Sequence, residues 1–208
     1  MLNLGVFSQK RLAMKHGMKV TGYNRQHYLM GALSDLDDQL REHGSQLFMC
    51  KGSPVDVFTT LHKEMGVTHL SFEQDCEAIW NRRDDEVRKM CSELGITMME
   101  RIAHTLWDPF EIIEANGGQP PTTYEMFVQV AGALGLPHQP SPDPDWQDVT
   151  FGELPDEVAQ KIKLCPQVPS PEEQGWTRNG ECPVYSGGEK AALAHLRERL
   201  IVEDKAFR

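Results

Sequence analysis

The sequence lacks the patterns that announce the common enzyme classes. It has no GxSxG elbow, no GKS or GKT phosphate loop, no HExxH pair and no GxGxxG fingerprint. Serine-hydrolase, P-loop, zincin and dinucleotide chemistries therefore have no foothold in it. Cysteine is sparse, odd in number and never in a CxxC pair: Cys50, Cys76, Cys91, Cys165 and Cys182 are scattered. That argues for reduced thiols rather than a disulfide framework or a metal site. No apolar run approaches membrane-spanning length, and the N-terminus has no signal-peptide core. Positive charge is also short, 21 Lys and Arg against 31 Asp and Glu for a net charge of −10, which counts against gripping a phosphate backbone. The expectation is a soluble, intracellular chain that neither enters a membrane nor binds DNA by itself.

What is present is an ordinary globular composition, 39% hydrophobic and 25% charged over 208 residues, enough for one domain with a core. The stretch Thr68–Trp107 organises the rest. His69–Phe72, flanked by Gly66, reads as a buried parallel strand. Val87, Met90, Cys91 and Leu94 then repeat at helical spacing, with Gly95 where a left-handed cap is wanted. Met98–Ile102 is a second strand. One strand–helix–strand unit of this kind suits an open parallel sheet with a site at the strand ends.

Around it, Arg25–Glu42 reads as an amphipathic helix, with Leu29, Ala32, Leu33, Leu36 and Leu40 as its apolar stripe and Asp37, Asp38 and Arg41 opposite. Gln46–Cys50 is a strand, and Ser53-Pro54 opens a helix to Met65. Asp108-Pro109 starts a short helix ending at Asn116-Gly117-Gly118. Thr122 and Glu125 form a capping box for a helix to Leu134. Nine of thirteen prolines fall between Pro137 and Pro183, so this region reads as a mostly irregular connection, with a helical turn or two in Thr150–Gln160. A helix restarts at Gly187-Gly188-Glu189 with Leu193, Leu196 and Leu200 on one face. Both glycine pairs read as turn chemistry rather than phosphate cradles.

EQDCEAIWNRRDDEVRKMC, IAHTLWDP, NGGQPPTTYEMF and GGEKAALAHLRERL occur in order, and at this spacing they resemble the N-terminal α/β domain of the cryptochrome/photolyase family. QDCE…W and HTLWDP are closer in wording to the insect light-sensing (type 1) cryptochromes than to vertebrate repressors or DNA-repairing photolyases. The resemblance implies an α/β, Rossmann-like open parallel sheet with flanking helices. It implies a division into an atypical N-terminus at 1–19, the α/β domain at 20–135, a Pro-rich connector at 136–186 and, at 187–208, the first helix of a helical FAD domain otherwise absent. The family's first strand, with a W-F-R pattern, has no match here. The expected reading of this N-terminus is a disordered or misassigned segment, with Leu2–Phe7 in the place of the second strand as the alternative. Without the first strand, Gln46–Cys50 and His69–Phe72 would lack their usual neighbours, and the isolated chain is expected to be marginally stable or unfolded.

By the same resemblance, the parent protein is a blue-light photoreceptor whose FAD undergoes light-driven electron transfer. It acts with circadian clock proteins and resides in cytoplasm and nucleus. The FAD contacts lie beyond Arg208, so no FAD-binding and no catalytic residue is carried over. The alternatives are a photolyase repairing pyrimidine dimers with FAD, and a flavin-free interaction module or inactive truncated product. A folate-type antenna, which some photolyases hold near an Asn-Glu pair, would fall on Asn81 and Arg82. Asn81 matches but Arg82 reverses the glutamate's charge, so an antenna is not expected. Glu73, Asp75 and Glu77 read as solvated or helix-capping carboxylates. Arg83-Asp84 reads as the start of a helix, with Asp84 meeting the helix dipole and Arg83 packing across a turn. His104 reads as a structural hydrogen-bonder, and Trp80 and Trp107 as packing residues.

Overall fold

The computed structural model describes residues 3–7, 22–75, 78–139, 141–142, 145–178, 180, 183 and 185–202. Cys76, Glu77 and Cys182 lie outside them. The chain is α/β and divides into two compact units, residues 1–64 with 145–208, and residues 65–144.

The first unit carries β1 (Asn3–Phe7), α1 (Tyr23–Glu42), β2 (Leu47–Lys51) and α2 (Pro54–Met65, whose last residue is counted with the second unit). From later in the chain come α6 (Asp156–Lys161), β5 (Leu164–Cys165) and α7 (Glu189–Arg197). β1 pairs parallel with β2, and β5 pairs antiparallel on its other edge. The sequence favours a disordered or misassigned N-terminus over a strand, yet Asn3–Phe7 is a strand paired with β2. β2 is not stranded without neighbours either, because a two-residue strand from the Pro-rich connector supplies the second one. Lys163, at φ 53, makes the turn into it. Met49, Cys50, Val57, Leu61, Val158 and Ile162 are buried in this unit.

The apolar stripe read along α1 is not its buried face. Leu29 and Leu36 are 41% and 44% exposed, whereas Gln26, Met30 and Asp37 are buried. At 100° per residue the buried line lies roughly a quarter turn from the leucines. Polar ties set this rotation. Asp37 Oδ1 accepts from Leu47 N at 2.7 Å, joining the helix to the start of β2, and Asp37 Oδ2 pairs with Arg41 at 2.9 Å. A buried donor and acceptor that must find each other outweigh two leucines left half covered. A further line of α1 receives α7. Gly31 packs against the backbone of Gly187, Asp35 Oδ2 accepts from Glu189 N at 2.7 Å and Lys190 N at 3.3 Å, and Glu42 pairs with Lys190 at 2.6 Å. Asp35 thus caps a helix that lies some 150 residues on, satisfying N–H groups that have no partner of their own. Asp35→Ala is expected to cost about 1 kcal/mol, read as a lower urea midpoint at unchanged slope.

The second unit carries β3 (His69–Glu73), α3 (Ala78–Leu94), β4 (Thr97–Arg101), α4 (Pro109–Ala115) and α5 (Tyr124–Leu134). β3 and β4 pair in parallel, His69 opposite Thr97 through Glu73 opposite Arg101, as a two-stranded sheet. The strands of the described residues thus fall in two small sheets rather than one open sheet. β3 is also not buried throughout. Its HLSFE alternates, with His69, Ser71 and Glu73 exposed and Leu70 and Phe72 half-buried, as period-two side-chain direction requires. Val87, Met90, Cys91 and Ile96 are buried in this unit. Asp108 caps α4 as expected, its Oδ1 accepting from Phe110 N at 2.7 Å. The cap of α5 is Thr123, not Thr122: Thr123 Oγ1 accepts from Met126 N at 3.2 Å. With the cap one residue later, Glu125 falls short of the position from which a capping-box carboxylate reaches back.

Burial raises the Cys50 thiol to about 11, with Cys165 adding to the shift, and burial also raises Cys91, with Glu100 adding. Of the three described thiols, Cys50 and Cys91 are buried and Cys165 is partly accessible, so in a Cys76→Ser, Cys182→Ser background Cys165 is expected to react with Ellman's reagent at neutral pH while Cys50 and Cys91 stay protected. Cys50 keeps its proton when folded but loses it near 9.0 when unfolded. Its contribution to stability is therefore complete below pH 9 and declines as pH rises from about 9 to 11, which a denaturation series across that range would show.

Candidate functional site at the strand ends

The parallel pair β3–β4 points its carboxyl ends at the residues that follow, where a sheet of this kind offers a site. Glu73, the last residue of β3, ties down the loop after β4. Its Oε1 lies 2.9 Å from His104 Nδ1 and accepts from Ala103 N at 3.3 Å, and Gln74 N donates to Arg101 O at 2.9 Å. His104 therefore has the structural partner expected of it. Both side chains of the pair are exposed, so the link is worth little. Among the described residues no three His, Cys, Asp or Glu gather as a metal would need.

Arg83 and Asp84 do not start the helix, because α3 begins at Ala78. Asp84 lies in its second turn and is 2% exposed, so a helix dipole does not account for it. Its Oδ1 takes Arg83 Nε at 3.0 Å and Nη2 at 2.9 Å, while Oδ2 has no partner among the described residues. The Arg83 guanidinium also lies 5.1 Å from the centre of the Trp80 ring, three residues back, so the packing read for Arg83 across a turn is present and gains a cation–π contact. Asn81 is half-buried and Arg82 exposed, side by side in the first turns of α3. Trp107 packs edge-on to Phe127, 6.3 Å between rings, and its Nε1 donates to Gly135 O at 3.3 Å.

Sequence reading missed the strongest polar link in this unit. Arg88 grips Glu100 of β4 through two bonds, 2.8 and 2.6 Å, and Asp85 at 2.7 Å. The carboxylates, led by Glu100, hold the guanidinium firmly charged, and the fork pins α3 to β4. Arg88 lies within the quoted EQDCEAIWNRRDDEVRKMC but was given no role there, and its place one turn on from Asp85 was the local signal.

The fold and its strand-end loops define an α/β unit of the strand–helix–strand class. The chain belongs to the DNA photolyase family, whose model matches residues 5–145. It is 43% identical over 197 residues to Cryptochrome-1 of Aedes aegypti, and 42% over 198 residues to Cryptochrome-1 of Drosophila melanogaster. Each match covers 92% of this chain and 36% of the relative, so the chain spans about a third of the length of these curated relatives. Among solved structures it resembles a cryptochrome of Synechocystis sp. PCC6803 with a TM-score of 0.72 at 19% identity, over 98% of this chain and 41% of that one, a likeness of fold. The family holds photolyases as well as cryptochromes, and its members bind FAD.

Proposed function

We propose that this chain is the α/β portion of a cryptochrome-type blue-light photoreceptor that acts in light input to the circadian clock. The observation that carries the reading is its identity of about 40% with insect Cryptochrome-1 along nearly the whole chain. The photolyase alternative has no observation in its favour beyond the shared fold and family. In this reading the flavin sits in a helical domain, and the present residues supply packing and interaction surface for clock proteins in cytoplasm and nucleus. They do no chemistry and bind no DNA, in keeping with a net charge of −10.

A folate antenna is not part of the proposal. The exposed Arg82 stands where a folate site would want a carboxylate, and Asn81 alone does not make one. Adding a methenyl-folate to the chain is expected to leave its near-ultraviolet absorption unchanged, and a new band would revise this point.

A long-read transcript from the source tissue, followed from the codons for Thr68–Trp107, tests the reading. Continuation into a segment encoding a flavin-binding helical domain supports a photoreceptor. A message confined to these 208 codons would overturn it in favour of a flavin-free interaction module or inactive product.

A further inference from the structure

β2 is the strand of the first unit whose edges most need cover. Its sequence, LFMCK, has a single charge, at its end, and Phe48, Met49 and Cys50 are buried. An apolar strand with a row of unmet N–H and C=O groups is a template on which another chain can pair. β1 meets one edge of β2 and β5 meets the other. β5 is poorly equipped to hold that place by itself. It is two residues long, with Leu164 opposite Cys50 and Cys165 opposite Met49, and Lys51 N donates to Lys163 O at 3.3 Å. So short a pairing is not stable alone, and its neighbours along the chain hold it. On one side Val158 and Ile162 are buried, and Lys161 pairs with Glu64 of α2 at 2.7 Å. On the other, Ser170 N donates to Glu173 Oε2 at 2.7 Å and Glu173 N to Ser170 Oγ at 3.2 Å, while Glu172 accepts from the Tyr23 hydroxyl of α1.

What β5 does well is end the sheet. Lys163 turns the chain at φ 53 just before it, and Pro166 just after it has no N–H to offer. A very short edge strand bounded by lysine and proline gives a further strand almost nothing to pair with. We propose that β5 is an edge guard, an intramolecular contact that occupies the outer edge of β2 and blocks the addition of a strand from a second copy of the chain. With β5 released, two copies of β2 can pair antiparallel about a two-fold axis, each taking the place that β5 holds in the other. The inference stands on β2, β5 and their anchors and does not depend on the photoreceptor reading.

The test is sedimentation velocity of the 208-residue chain and of Cys165→Pro over a range of concentrations. Because Lys51 N meets Lys163 O, antiparallel alternation turns the Cys165 amide toward β2, and proline removes that donor. The variant is expected to self-associate at concentrations about tenfold or more below the parent, because an edge open in every chain replaces one that opens only in a minority. β1, the opposite edge of the sheet, is the same in both. Val57→Ala, at a buried position of α2 outside the sheet, controls for general destabilisation and is expected to sediment as the parent does. Met49→Cys gives the reverse measurement and decides the matter if Cys165→Pro does not fold. Position 49 lies directly across from Cys165, within disulfide reach for such a pair. The oxidised chain is expected to stay monomeric in mild urea, where its reduced form associates. The proposal is overturned if Cys165→Pro, folded by circular dichroism, associates no more than the parent. It is overturned too if Val57→Ala associates as readily as Cys165→Pro, or if oxidation of Met49→Cys leaves association unchanged.

Discussion

Arg83→Met is expected to destabilise the chain by about 2–3 kcal/mol, and adding Asp84→Leu is expected to restore most of that loss. The reason is the asymmetry of a buried ion pair. Asp84 is almost wholly shielded, its only described partner is the guanidinium of its neighbour, and its second oxygen has none among the described residues. Removing the cation leaves a carboxylate in an apolar setting, a change that costs about 3–5 kcal/mol for a fully buried pair. The Arg83 side chain is 40% exposed, so water screens part of the effect and the lower figure applies. Removing both charges takes away the desolvation cost together with the attraction. Urea denaturation of the two variants decides the matter. A single variant within about 0.5 kcal/mol of the parent would place the pair with ordinary surface bridges.

The strand–helix–strand unit was legible because its signals are local. Short runs of apolar residues, helical spacing at Val87, Met90, Cys91 and Leu94, and glycines at positive φ, Gly66 at 66° and Gly95 at 70°, each follow from a few adjacent residues. The Asp108 cap was legible for the same reason. What failed was what depends on distant partners. The leucines of α1 satisfy an amphipathic pattern, yet Asp37 turns the helix because the amide it must meet lies ten residues on, in β2. β5 is two residues long and carries no pattern, so only its pairing with Met49 and Cys50 reveals it. At the strand ends the residue types were right, but the partners were not. His104 reads as structural from sequence, while nothing in the sequence says that Glu73 holds it. Asp84 reads as a helix-start residue until α3 is seen to begin six residues earlier.

Gly187→Ala is expected to release α7 from α1, with a stability loss of about 3 kcal/mol, at or beyond the upper end of ordinary overpacking. The glycine pair before α7 looks like simple turn chemistry, and for Gly188 at φ 121 that is part of the answer. Gly187 is different. A methyl group there would run into the Tyr28 carbonyl and come within 2.6 Å of Ala32 N, both main-chain atoms of α1 that no rotamer change can move. The two backbones touch because neither residue at the crossing, Gly31 or Gly187, carries a side chain. Asp35 reaches the Glu189 and Lys190 amides only at that separation, so one methyl group would remove the close contact, the cap and the Lys190–Glu42 pair together. Hydrogen exchange resolves this from general destabilisation. The Glu189 and Lys190 amides should lose protection in Gly187→Ala under conditions where β2 keeps its own. If they stay protected, the crossing is softer than the geometry says, and α7 is held by something other than the face of α1.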